Sequence, residues 1–228
     1  RIPTVCIPAS IDNNLPGSEL SIGTDTALNV IVEAMDKIKE SGIASRRCFV
    51  VETMGRDCGY LALMSGIAAG AERIYTNEDG ISLDDLANDV HWLRESFAHG
   101  RRLFLAVRNE NASHNYTTDF IARLLEEESH GMYDVRQVVL GHMQQGGSPS
   151  PFDRLLANRL GYRALNLIDD ELAAHQDGSW FIGVNESGMR PCSMDTMPSL
   201  IDAAHRRPRE QWWLQLRTIA RMVSDEVR

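Results

Sequence analysis

The stretch CFVVETMGRDCGYLALMSGIAAGAERIYT, residues 48–76, reads as a strand, a glycine-bearing turn, a helix and a second strand. CFVVET (48–53) is a short apolar run of strand-forming residues that ends at a turn. YLALMSGIAAG (60–70) carries small and apolar residues on every face, the pattern of a buried helix, and RIYT (73–76) follows as the next strand. Strand, helix and strand in series make a βαβ unit, and such units build a parallel sheet.

The alternation continues in both directions. Toward the N-terminus, IPTVCIP (2–8) reads as a buried strand. Residues 22–41 read as a helix, with Leu28, Ile31, Met35 and Ile38 at helical spacing, Thr24 or Asp25 near its N-cap and Gly42 as its stop. Toward the C-terminus, Ser82 caps a helix through about His99, LFLAV (103–107) is a strand, YTTDFIARLLEEE (116–128) a helix and VRQVVLG (135–141) a strand. A further helix opens with Ser150 as N-cap and Pro151 at its first position. WFIGV (180–184) is a late strand, and helices at about 195–205 and 208–226 close the chain. The fold class is α/β with a mostly parallel sheet.

The 228 residues suffice for one large domain or two small ones, with no internal repeat and no low-complexity segment. Hydrophobic residues at 43% and charged residues at 24% are ordinary for a globular protein. A formal charge of −9 argues against general nucleic-acid binding, and no apolar run reaches membrane-spanning length. Cys6, Cys48, Cys58 and Cys192 form no C-x-x-C pair and no metal-ligand spacing with histidine, which reads as reduced thiols in a cytosolic core. No secretory signal is visible, so a cytoplasmic location is expected. The chain opens at Arg1 inside a strand-like run, the look of a piece of something longer.

Ligands of open parallel sheets bind beyond the carboxyl ends of the strands. Four segments stand there: ASIDNN, MGRDCGY, RNE and HMQQGGS. They hold Asp12, Arg56, Arg108, Glu110 and His142, with Gly55, Gly141, Gly146 and Gly147, and this reading puts all four at one edge of one sheet. Glycines let backbone N–H groups approach a ligand, arginines bind phosphate in bidentate fashion, and a glutamate accepts from sugar hydroxyls. Together they describe a pocket for a phosphorylated, hydroxyl-rich small molecule. Singly, each has an ordinary structural reading: Asp12 as a turn residue, Glu110 paired to an arginine, His142 a structural histidine. The sequence holds neither G-x-x-x-x-G-K-[ST] nor G-x-G-x-x-G after a strand.

At these residues the sequence resembles the phosphofructokinase family over essentially its whole length. PASIDNN stands for the family's P-G-T-I-D-N-D, MGRDCGY for M-G-R/G-x-C-G, RNE for a glutamate after a strand, and GHMQQGGSP followed by FDR for G-H-x-Q-R/Q-G-G-x-P. The ending HRRPREQWWLQLR, with RNE and HMQQGG, is similar to the C-terminal half of the duplicated eukaryotic-type enzyme. The resemblance implies a parallel-sheet sugar-binding lobe, residues 24–143 with 195–228, and an incomplete part of the nucleotide-binding lobe, residues 1–23 with 144–194, whose N-terminal part precedes Arg1. An apolar sheet edge exposed on that second part is a further expectation.

The resemblance also implies roles. Asp12 matches the general base for the C1 hydroxyl of fructose 6-phosphate, and Ser10 a residue beside the transferring phosphoryl group. Met54, Gly55 and Arg56 match the sugar-contacting segment, Glu110 the ligand of sugar hydroxyls and His142 a ligand of the 6-phosphate. Arg47 and Arg136 match arginines that reach a neighbouring subunit's or half's site, so assembly is implied, with a homo-oligomer expected. Arg206 matches a phosphate contact of the effector-binding half, and Glu72 a residue of a separate nucleotide effector site of bacterial members. Mg2+ arrives with ATP in the full-length enzyme, and no metal site made of protein ligands alone is expected. Asn14 and Gln145 stand where catalytic members carry Asp and Arg. Both match the half that binds fructose 2,6-bisphosphate, whereas Asp12 and Arg56 match the catalytic one. Ala9 stands where pyrophosphate-using relatives tend to carry Lys, which favours ATP as donor. Three readings follow: an ATP-dependent 6-phosphofructokinase fragment inactive by itself, a non-catalytic regulatory half, or a pyrophosphate-dependent enzyme.

Overall fold

A computed structural model describes residues 2–42, 45–185 and 187–225. The chain divides into two compact units, residues 1–27 with 147–212 and residues 28–146 with 213–228.

The second unit is built on a four-stranded parallel sheet. Its strands are β2 (Arg47–Thr53), β3 (Arg73–Tyr75), β4 (Leu103–Asn109) and β5 (Asp134–Val139), in the spatial order β3-β4-β2-β5. Every pairing is parallel, Val50 lying opposite Ala106 on one side and Gln137 on the other. Cys48, Val50, Phe104, Ala106 and Tyr75 turn one face of the sheet toward a core shared with Leu86, Leu93 and Phe97 of α3 (Leu83–Ala98) and Ile121 and Leu125 of α4 (Thr118–Glu128). The opposite face carries Val51, Leu105 and Val107, all buried, which is why β2 and β4 read as unbroken apolar runs. Helix α2 (Tyr60–Ala69) covers it, with Gly66 so near Ile74 that a Cβ would stand 2.6 Å from it. Trp213 packs edge-on against Tyr60, ring centroids 5.8 Å apart.

The first unit holds a smaller mixed sheet, β1 (Thr4–Cys6), β6 (Ser179–Asn185) and β7 (Gly188–Ser193), in the order β1-β6-β7. β1 runs parallel to β6 and β7 antiparallel to it. Helix α5 (Pro151–Ala173) packs Leu156, Leu160, Ala164 and Leu167 onto Ile182. Its N-terminus is as its sequence predicts: the Ser150 hydroxyl accepts the Asp153 N–H and Pro151 takes the first position. Helix α1 (Thr24–Gly42) starts in this unit and continues into the other.

Several expectations are corrected. The N-terminal strand is shorter than 2–8, because Pro3 and Pro8 donate no N–H to a ladder and bracket Thr4–Cys6. β7 is missing from the sequence reading; its Gly188 and Pro191 are poor strand formers, and Pro191 is tolerated because β7 is an edge. The helix expected over 195–205 is only α6 (Met197–Leu200) behind a 3-10 turn. Asp202 ends it by accepting the N–H groups of Ala204 and His205, a local bond that competes with helix. Ile201–Asp202 then pairs with Arg207–Pro208 as strands β8 and β9. The helix expected over 208–226 is α7 (Arg217–Asp225) behind a 3-10 turn at Trp212–Leu216, and residue 226 lies outside the described residues.

Candidate functional site

In the second unit three loops leave the carboxyl ends of β2, β4 and β5. The fourth segment of the sequence reading, around Asp12, follows β1 and belongs to the other sheet. The expectation of one shared sheet edge is therefore corrected: parallel pairing groups Met54–Arg56, Glu110 and His142–Gln145, and puts Ser10–Asn14 after a strand of the first unit.

The loop after β1 is held by its own side chains. Asn13 adopts a positive φ of 52°, tolerated by Asn, and is buried. Its Nδ2 donates to the Glu19 carbonyl at 2.8 Å and its Oδ1 accepts the Ser21 N–H at 2.9 Å, which closes the loop on itself. Thr24 Oγ1 donates to the Ser10 carbonyl at 2.8 Å. Ser10 Oγ accepts the Asp12 N–H at 3.2 Å and donates to Asn14 Oδ1 at 3.1 Å. Asp12 is 8% exposed, so its carboxylate sits largely out of water. Asn14 Nδ2 reaches the carbonyl of Arg206, 3.5 Å away, and Arg206 itself holds a positive φ of 51° with an exposed side chain.

In the second unit Met54 N–H donates to the side-chain oxygen of Gln144 at 3.1 Å, and Met54 C=O accepts from Asn109 Nδ2 at 3.3 Å. Gly55 has φ +132°, and a Cβ there would stand 2.4 Å from the Cys58 carbonyl oxygen. The Arg56 N–H donates to Glu110 Oε1 at 2.7 Å, which ties the second loop to the third. The Arg56, His142 and Gln145 side chains are exposed beside these loops. The N-terminus of α2, a ready anion site after a glycine-bearing loop, is occupied by Glu78, whose carboxylate accepts the Gly59 N–H at 3.0 Å.

Arg108 is not a ligand candidate. It lies inside β4 at 2% side-chain exposure, and its guanidinium donates to Glu52 at 2.8 Å and to the carbonyls of Tyr116, Glu110 and Ser113. Glu52 also accepts from the Thr118 hydroxyl. Burial pulls the Arg108 guanidinium below its ordinary value while Glu52 opposes that pull. Arg108 thus folds the loop on which Glu110 stands. Arg47 opens β2 at the amino end, and Arg136 is exposed within β5, so neither joins the loops at the carboxyl ends. The Glu72 carboxylate is committed to Arg101 and to the Leu105 N–H at 2.8 Å; burial pushes its carboxyl up, while that N–H and Arg101 hold it down. Among the described residues no three His, Cys, Asp or Glu side chains converge to hold a metal ion.

A family model described as phosphofructokinase matches residues 1–168. The chain belongs to the phosphofructokinase family. It is 44% identical to human ATP-dependent 6-phosphofructokinase, muscle type, over 98% of its own length and 30% of that relative's. A phosphofructokinase structure from Saccharomyces cerevisiae superposes with a TM-score of 0.94 at 35% identity, over 99% of this chain and 31% of that one. The chain therefore spans about a third of the length of each of these two relatives. A pyrophosphate-dependent phosphofructokinase from Marinobacter aquaeolei, at 16% identity and a TM-score of 0.63, shares the fold alone.

Asn13, Asn109, Gln144 and Asp153 escaped the sequence reading. Gln144 stands in the quoted GHMQQGGS motif and Asp153 in FDR, so the signal was position within a motif. Asn13 and Asn109 neighbour residues that were singled out, and nothing in the sequence separates an amide that ligates from one that braces.

Proposed function

We propose that this chain supplies the sugar-phosphate site of an ATP-dependent 6-phosphofructokinase, which moves the terminal phosphoryl group of ATP to the C1 hydroxyl of fructose 6-phosphate in glycolysis. The observation that carries the reading is the bonded pair of loops at the carboxyl ends of β2 and β4, Arg56 N–H on Glu110, in a chain 44% identical to the human muscle-type enzyme. Arg56, His142 and Gln145 bind phosphate and sugar oxygens, and Glu110 accepts from the hydroxyls. Asp12 takes the C1 hydroxyl proton as that oxygen bonds to phosphorus and ADP leaves. A positioned base contributes about a hundred- to ten-thousand-fold, and the rest comes from positioning and charge neutralisation. Mg2+ enters with the nucleotide; the described residues offer no cluster to hold it by themselves, and no role above depends on it. A cytoplasmic homo-oligomer, with Arg47 and Arg136 directed to a neighbouring copy, belongs to the same proposal.

The test is a coupled assay on the native polypeptide that contains this sequence. Asp12→Asn should lower kcat about a thousandfold with little change in fructose 6-phosphate binding. The isolated 228-residue chain should show no turnover. Turnover by the isolated chain that Asp12→Asn abolishes would refute the second expectation.

One observation favours the regulatory reading. Asn14 uses its amide in both senses, accepting from Ser10 and donating toward the Arg206 carbonyl, and an aspartate could do only the first. That suits a site that binds fructose 2,6-bisphosphate without chemistry. An unchanged maximal rate in Asp12→Asn, with an altered response to fructose 2,6-bisphosphate, would select it.

A further inference from the structure

The end of β2 is a place where a sheet stops but its hydrogen bonding does not. β2 lies between β4 and β5, and the last backbone bonds on its two sides run from Glu110 N–H to the Thr53 carbonyl, 2.8 Å, and from Leu140 N–H to the Glu52 carbonyl, 3.1 Å. Beyond them the three chains diverge, and Met54 would be left with an N–H and a C=O unmatched. Two side-chain amides replace the missing backbones. Gln144, 1% exposed, accepts the Met54 N–H and donates to the Gly141 carbonyl at 2.9 Å. Asn109, fully buried and opposite Thr53 in the ladder, donates to the carbonyls of Met54 and of Cys58, 3.4 Å, while its oxygen accepts the Asn111 N–H at 3.3 Å. Each amide has one orientation that satisfies its partners: flipping Gln144 would face N–H to N–H, and flipping Asn109 would face oxygen to two carbonyls.

We infer that Gln144 and Asn109 are positioning residues for sugar-phosphate binding, an inference that rests on the reading of this site given above. Neither amide is open to a ligand. Each bonds the backbone of the Met54–Arg56 segment from a loop that carries a candidate ligand, Gln144 beside His142 and Gln145, Asn109 beside Glu110. The clamp holds the two peptide groups that flank Met54 between those two loops, and Gly55 lets it close, since a Cβ there would stand 2.8 Å from Asn109 Nδ2. The candidate ligands on three loops then act from a frame fixed by buried hydrogen bonds, the arrangement a tight polar site requires.

The experiment is steady-state kinetics on the native polypeptide with the shape-preserving substitutions Gln144→Met and Asn109→Leu. The KM for fructose 6-phosphate should rise roughly tenfold, about the loss of one buried hydrogen bond. The KM for nucleotide and kcat should stay within about twofold. A core substitution chosen to match the loss in thermal midpoint, Leu93→Ala, should leave the sugar KM unchanged, which separates positioning from general destabilisation. Gln144→Glu keeps the acceptor for the Met54 N–H and, once protonated, a donor for the Gly141 carbonyl. Its sugar affinity should recover as pH is lowered, and this variant decides the matter if Gln144→Met does not fold. Unchanged sugar KM in Asn109→Leu and in both Gln144 variants, with Glu110→Ala still weakening sugar binding, overturns the inference and leaves the proposed function standing. A wild-type polypeptide that binds no fructose phosphate overturns both.

Discussion

Asp153→Ala removes a helix cap that comes from outside its helix. The first turn of α1 is capped by Asp153 of α5, which accepts the Gly23 N–H at 3.0 Å, the Thr26 N–H at 2.8 Å and the Thr26 hydroxyl at 2.5 Å. The exchange is reciprocal, because Ser150, which caps α5, donates its hydroxyl to Asp25 of α1 at 2.5 Å. A carboxylate at a helix N-terminus is favoured by the dipole, and here it is 3% exposed. A hydrogen bond to a charged group contributes about 1.5–3 kcal/mol, and three on one carboxylate do not add. The expected loss is about 2–4 kcal/mol, because the substitution leaves three donors of the first turn without their charged acceptor. At about 2–4 °C per kcal/mol for a chain of this size, the thermal midpoint should fall by roughly 10 °C. Urea unfolding followed by circular dichroism gives the free energy directly. Asp153→Asn keeps one acceptor oxygen and should lose about half as much. Because the group is buried, about 0.5 M salt should leave the difference unchanged. A loss below about 1 kcal/mol for Asp153→Ala would refute the cap as a major tie in this unit.

Gly55→Ala should destabilise the chain by about 2–4 kcal/mol, from a strained positive φ and the displaced Asn109 amide, and denaturant midpoints within error of wild type would contradict that. Arg108→Met leaves Glu52 without its buried partner and the Glu110 loop without three carbonyl contacts; a loss of about 3–5 kcal/mol is expected, with faster amide exchange across residues 110–116. Burial raises the Glu72 carboxyl above its ordinary 4.5, so the native state binds that proton more tightly than the unfolded chain. This group's contribution to stability must then fall as pH rises from about 4.5 through the raised native value. The stability of wild type minus Glu72→Gln should drop across that window, and a difference that grows with pH would contradict the assignment.

Much of this protein was legible as text. The 3.6-residue periodicity, the Ser82 and Ser150 caps and the unbroken apolar runs at 48–53 and 103–107 announce α/β units, because each depends on neighbours within a few positions. The ligand-bearing segments MGR, RNE and GHMQQGG were legible for the same reason, standing right after strands. The C-terminal region misled because Asp202, Pro208 and β7 act through turns and edge pairing that helical spacing does not reveal.

Tertiary structure alone decided what the polar residues do. Arg56 and Arg108 look alike in the sequence, each in a loop-like segment after a strand. Arg56 is exposed beside Glu110, while Arg108 is buried and spends its donors on Glu52 and three carbonyls. Asn109 and Gln144 look like surface amides and prove to be buried braces of Met54. Asp153 caps a helix by accepting from Thr26, 127 positions away from it in sequence. Sequence records where the chain can donate, accept or carry charge over short range. Which of those groups face solvent and which satisfy a distant backbone depends on strand order, because buried polar atoms must find partners wherever the packed sheets bring them.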